Sequence, residues 1–116
     1  MLEKPRFLQG LFPFEGQGLE TPISLPPEIV YRVPGGKRSQ LVYFRAGNSA
    51  AELIYLLVTR DGSPMRYFPV GAKSAVHISL AVVEDLDPDT LIELLIAAPG
   101  GVRGQALIDI GFMEFD

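Results

Sequence analysis

The chain has no cysteine, no tryptophan and a single histidine among its 116 residues. The missing thiols exclude disulfides, thiol nucleophiles and thiolate metal sites together, and they fit a reducing compartment. With His77 alone, a metal site built on paired imidazoles within one chain is excluded too. Basic residues are sparse, ten against fourteen acidic, for a net charge of −4. They form no cluster of the kind that counterion release on a nucleic acid requires, so no nucleic-acid partner is expected. Long apolar runs are also lacking. The longest, Leu53-Ile54-Tyr55-Leu56-Leu57-Val58, is strand-sized against the roughly 18 residues of a helical span, so no membrane insertion is expected. The opening Met1-Leu2-Glu3-Lys4-Pro5-Arg6 places charges and proline where a secretory signal would need an apolar stretch, and a cytoplasmic location is the expectation.

What the chain has in quantity is turn formers, 12 glycines and 10 prolines, in a composition that is 47% hydrophobic. Its length suits one domain with one core, and this punctuation favours many short strands over long helices. Residues 1–27 hold five prolines and three glycines, yet also Phe7, Leu8, Leu11, Phe12 and Phe14. They read as an ordered arm with at most a short strand, packed on the domain or on a neighbouring subunit. Residues 28–116 read as a single β domain. Its expected strands are Glu28–Val33, Gln40–Arg45, Glu52–Arg60, Met65–Val70, Ala75–Val82, Leu91–Ala97 and Gln105–Phe115. Asp61-Gly62 supplies the residue pair of a tight hairpin, and Val76, Ile78 and Leu80 alternate with His77, Ser79 and Ala81 in the period of a half-buried strand. Leu41, Tyr43 and Arg45 are expected on one face of their strand, and the last two strands are expected to form an antiparallel hairpin. Helix for Glu84–Ala98 is the weighed alternative, opposed by Pro88 and the β-branched residues. The fold class is all-β: a two-sheet antiparallel sandwich, immunoglobulin-like or jelly-roll-like, of about seven strands.

Ala75–Ala98 carries an alternating strand, a Leu86-x-Pro88-x-Thr90 turn and a strand ending in small residues. This stretch resembles the corresponding strand, loop and strand of fibronectin type III and related immunoglobulin-like domains. The hairpin V-T-R-D-G-S-P-M-R-Y-F-P-V before it is similar to theirs as well. The resemblance implies a sandwich and no particular ligand.

No motif nominates a catalytic residue, a metal site or a cofactor. There is no Gly-x-Ser-x-Gly elbow, Gly47-Asn48-Ser49-Ala50-Ala51 being the nearest approach. Gly35-Gly36-Lys37-Arg38-Ser39 lacks P-loop spacing and reads as a basic turn. Asp85, Asp87 and Asp89 lack the glycine and glutamate of a calcium loop and read as a solvated acidic turn. His77 falls on the polar side of its strand. An enzyme centred on it is the most distant of the functional readings.

Two surfaces remain. Tyr43, Arg45, Tyr55, Arg66 and Tyr67 would offer aromatic platforms beside guanidinium donors, the chemistry of a carbohydrate- or small-ligand-binding module. Several strands are also apolar on both faces, which calls for a second cover. Leu53, Leu57, Leu91, Leu95 and Met113 are the expected members of such an interface. The first expectation is therefore a non-catalytic binding or assembly module that partners itself, as a homodimer or higher oligomer, or another protein.

Overall fold

The computed structural model describes residues 3–26 and 29–116. They form two antiparallel sheets with one core between them, and no α-helix occurs among the described residues. Sheet A runs in the order β1 (Glu3–Glu15), β10 (Arg103–Phe115), β4 (Arg38–Asn48), β7 (Ser74–Ser79), with β8 (Asp85–Leu86) added to β4. Sheet B runs in the order β2 (Ile23–Ser24), β9 (Leu91–Ala97), β5 (Ile54–Arg60), β6 (Ser63–Val70), with β3 (Tyr31–Arg32) also on β9. Taking β2 and β3 as one interrupted strand, the pairs nest: β1 with β10, β2 and β3 with β9, β4 with β7, and β5 with β6. That nesting is the winding of a jelly roll. The two-sheet antiparallel sandwich implied by the fibronectin-like stretch is present, and the strands are wound in jelly-roll order.

Three expectations give way. The N-terminal residues hold more than the short strand expected of them, because Glu3–Glu15 is a full 13-residue strand. Its prolines are tolerated because β1 is an edge. Pro5 and Pro13 have the same parity in an unbroken register, so both nitrogens lie on one side of β1, and an edge strand has a side where no ladder donor is needed. Pro64 and Pro69 lie on β6, the edge of the other sheet. The expected hairpin between the last two strands is also absent. β9 belongs to sheet B and β10 to sheet A, and 98–102 cross between them beside the crossover that follows β1. Gly16 donates to the Val102 carbonyl at 2.7 Å, and a Cβ on Gly16 would run into the Pro99 carbonyl oxygen, so the two crossovers can touch only through glycine. Finally, Leu41 does not share a face with Tyr43 and Arg45. The ladder with β10 skips Val42, a bulge that resets the alternation, so that Leu41 and Phe44 both point inward.

Leu91–Ala97 has both bounds as expected, and Ile54–Arg60, Ser63–Val70, Ser74–Ser79 and Arg103–Phe115 lie close to the expected ones. The first expected strand is reduced to Tyr31–Arg32, Gln40–Arg45 extends to Arg38–Asn48, and the short strands Ile23–Ser24 and Asp85–Leu86 were not expected. Glu28, the expected start of the first strand, lies outside the described residues, as does the expected boundary between residues 27 and 28. The Asp61-Gly62 turn has both φ angles positive, at 50° and 84°, the geometry of a type I′ hairpin. In the core, Phe44 of sheet A stacks on Phe68 of sheet B with ring centroids 3.8 Å apart and planes 5° from parallel. One polar clasp joins the sheets at one end. Tyr31 donates to Glu114 at 2.7 Å, its oxygen lies 3.0 Å from the Ser39 hydroxyl, and Arg6 reaches the same carboxylate at 3.3 Å. Loss of water around the phenol, followed by the nearby carboxylate, pushes the Tyr31 hydroxyl well above its ordinary range.

Phe44→Ala should cost about 3–5 kcal/mol, because it removes a fully buried ring and leaves a cavity that the two sheets cannot close. Urea denaturation followed by circular dichroism should show a lower midpoint at unchanged slope. A midpoint within error of the unmodified protein would mean that the stack does not hold the sheets together.

Candidate functional site

The outer face of sheet A is the open face of the molecule, and the strand registers lay it out in rows. Phe7, Gly111, Tyr43 and Ser79 stand side by side across β1, β10, β4 and β7; the next row is Gln9, Asp109, Arg45 and His77; the third is Leu11, Leu107, Gly47 and Ala75. Towards the other end come Pro5, Met113, Gln40 and Asp85, then Glu3, Phe115 and Arg38.

Asp109 organises the middle of this face. Its Oδ1 accepts from Gln9 at 3.1 Å and from the Tyr43 hydroxyl at 2.8 Å, and Arg45 lies 3.5 Å from Oδ2. The amide of Gln9, then the hydroxyl of Tyr43, hold the Asp109 carboxyl below its ordinary value, with Arg45 adding to the effect. Burial and the Asp109 bond raise the Tyr43 hydroxyl in turn. The consequence for Tyr43 is positional. Its ring covers Gly111, where a Cβ would run into it, with His77 edge-on at 6.0 Å and the Arg45 guanidinium carbon 6.0 Å from its centroid. Tyr43 is therefore a fixed platform on the sheet, anchored by a carboxylate whose lone pairs are largely spoken for.

A cavity of about 230 Å³ opens at the other end, lined by Glu3, Arg38, Gln40, Asp85 and Phe115. Gln40 donates to Asp85 at 2.7 Å, and Arg38 lies 3.5 Å from the second oxygen of that carboxylate. The cavity thus combines an aromatic wall, two carboxylates and two kinds of nitrogen donor. Phe115 and Gly111, the glycine under Tyr43, are four residues apart on β10, which places the cavity and the platform roughly 13 Å apart along one strand.

The five ligand residues expected from the sequence do not converge. Tyr43 and Arg45 are on the outer face of sheet A. Tyr55 and Tyr67 are on the outer face of sheet B with rings 5.7 Å apart, and Arg66 points to the opposite side of β6 from Tyr67, paired with Glu84 at 2.7 Å. The expected interface residues are likewise divided: Leu57, Leu91 and Leu95 belong to sheet B, Met113 to the outer face of sheet A, and Leu53 to the exposed turn before β5. His77 is exposed on the outer face, beside Tyr43. Among the described residues no group of three or more His, Cys, Asp or Glu is placed to hold a metal ion, so Asp85, Asp87 and Asp89 do not converge. Sequence reasoning missed Glu3, Arg38, Gln40, Asp85 and Phe115 as a group, since only strand pairing brings them together. Asp109 did carry a local signal, as the one charge between Leu107 and Met113 in the last strand.

The lowered Asp109 value has a definite sign. The stability it contributes is present above the unfolded-state value of about 3.9 and is lost as pH falls through the folded value. Asp109→Asn should therefore flatten the loss of stability on acidification below about pH 4, measured by urea denaturation at a series of pH values. Equal acid slopes for variant and unmodified protein would show that its three partners do not favour the ionised form.

No protein-family model matches the chain, and no curated protein does. Among solved structures it is similar to the CBM36-1 domain of a multidomain xylanase from the hindgut metagenome of Trinervitermes trinervoides, at 14% identity and a TM-score of 0.58, over 95% of this chain and 96% of that one. PirA is matched at 10% identity and a TM-score of 0.40, over 93% of this chain and 92% of that one. An exo-beta-1,3-galactanase from Phanerochaete chrysosporium is matched at 9% identity and a TM-score of 0.31, over 99% of this chain and 30% of that one. The first of these likenesses establishes a shared sandwich fold.

Proposed function

We propose that this chain is a non-catalytic binding module and that its ligand is a carbohydrate, held on the outer face of sheet A along the line from the Phe115 cavity to the Tyr43 ring. The observation that carries the reading is the cavity itself. Sugars present apolar C–H faces edged by hydroxyls, and recognition calls for an aromatic surface flanked by directional acceptors and donors. Phe115 supplies the first, Glu3 and Asp85 the acceptors, Gln40 and Arg38 the donors. Asp85 accepts from Gln40 through only one of its oxygens at hydrogen-bond distance, which leaves acceptor capacity for a hydroxyl. Further along, the fixed Tyr43 ring offers a second stacking surface without the entropy cost of ordering it on binding. The CBM36-1 domain, a carbohydrate-binding module, shows that a sandwich of this shape can host such a function, although fold alone does not assign it.

The sequence-based expectation of self-association is a separate reading. It is favoured by apolar side chains that stand in solvent on β1 and β10, away from the cavity.

The carbohydrate reading is tested by affinity gel electrophoresis and titration calorimetry against xylan, β-1,3-galactan, a soluble β-glucan and starch. At least one should bind, and Phe115→Ala and Tyr43→Ala should each weaken it about tenfold or more, or about 1.4 kcal/mol. Retardation by none of the four, or binding that survives both substitutions, would refute the assignment.

A further inference from the structure

Leu57, at the centre of the apolar face singled out by the sequence, is already covered. Leu57 is only 5% exposed although it points away from the core, with Tyr67 and Leu95 directly opposite on its two neighbouring strands. The chain between β1 and β2 comes alongside, where Tyr55 donates to the Leu19 carbonyl at 2.7 Å. Apolar side chains do stand in solvent on the outer face of sheet A. Phe7, Leu11 and Leu107 are 53%, 57% and 52% exposed on β1 and β10, with Leu11 directly opposite Leu107, whereas Leu53, Tyr67 and Val82 are exposed singly in other parts of the molecule.

We infer that this face is the contact surface of a two-fold dimer of the chain, with the axis running along the strands between β10 and β4. Such an axis lays β1 over the partner's β7 and β10 over the partner's β4. Row by row, the registers then set unlike residues against each other. Leu107 meets a glycine at position 47 and Leu11 an alanine at position 75; Asp109 meets an arginine at position 45; and Phe7 meets a serine at position 79. Large faces small and acid faces base in both directions at once, the self-complementarity that a symmetric contact requires. The alternative of adding a strand at the β1 edge is disfavoured, because Pro5 and Pro13 carry no backbone donor along that edge.

Four strands about 4.8 Å apart, over a length of some 30 Å, give roughly 500 Å² per copy, below the approximately 800 Å² of a standard stable interface. The dimer is accordingly a weak one. This inference does not depend on the carbohydrate reading. A sugar on this face, at the cavity or on the Tyr43 row, and a second copy would compete.

Sedimentation velocity between about 10 and 500 µM should show a concentration-dependent monomer–dimer equilibrium. Leu107→Lys should weaken dimerisation at least tenfold, whereas Leu53→Lys, on the other side of the molecule, should leave it unchanged. Gly47→Ala is a mild companion: its new Cβ would meet its own Leu107 only at an ordinary 3.5 Å, so the fold is kept while the partner's leucine loses its hole. The cysteine-free background permits a second readout. Mixed Leu107→Cys and Gly47→Cys proteins should cross-link on oxidation faster than either alone. A monomer throughout the range, dissociation by Leu53→Lys instead, or cross-linking no faster in the mixture would each overturn the inference, and none of these bears on polysaccharide binding by the monomer.

Discussion

The pairing of Glu3–Glu15 with Arg103–Phe115 is the constraint on which the rest of the molecule depends. It joins the ends of the chain through an uninterrupted register, so β10 becomes an interior strand with β4 on its other side. On its inner face this pairing aligns Ile108, Ile110 and Phe112 with the core; on its outer face it creates every row of the open surface. The cavity needs it to bring Glu3 beside Phe115, and the Asp109 cluster needs it to bring Gln9 within reach. Because these contacts join residues roughly 90 to 110 positions apart, they are costly in chain entropy and of a slow kind to form.

The buried clasp of Glu114 complements this pairing. A carboxylate that is 1% exposed would be strongly destabilising without partners. It is tolerated because Tyr31 and Arg6 approach it from opposite sheets, so the satisfied state exists only when β3 of sheet B has packed over β10 of sheet A. Apolar stacking at Phe44 and Phe68 is insensitive to small slips of one sheet over the other. The clasp is directional, and so fixes their relative position.

Much of the architecture was legible in the sequence because alternation and turn chemistry are local. The period of two in Val76–Leu80 and the Asp61-Gly62 hairpin both identify strands without reference to anything distant. What was illegible was non-local. Proline density in the first residues argues against a strand unless the strand is known to be an edge. The bulge at Val42 leaves no mark in the composition of Gln40–Arg45, yet it turns Leu41 inward while Tyr43 stays outward. For the same reason, five aromatic and arginine residues that look like one group in sequence divide between two sheets. The residues lining the cavity lie on strands at both ends and in the middle of the chain, so only the jelly-roll winding collects them. Excess apolar character was legible as a quantity, but not its location, since Leu57 is covered by its own chain and Leu107 is not.

The antiparallel closure of the sandwich also decides how it answers force. Glu3 lies opposite Phe115, so tension applied at these two positions acts on the same end of the β1–β10 ladder. In an antiparallel pair the hydrogen bonds run perpendicular to the strands. A pull that separates the ends therefore loads them one after another, as a zipper opens, rather than all together in shear. Tethered at those positions, the domain would peel from that end at low force, with Leu8, Phe12 and Phe14 of the first strand drawn off the core one after another. Pulled instead between Glu15 and Phe115, the same ladder would be sheared along its whole length and would resist far longer.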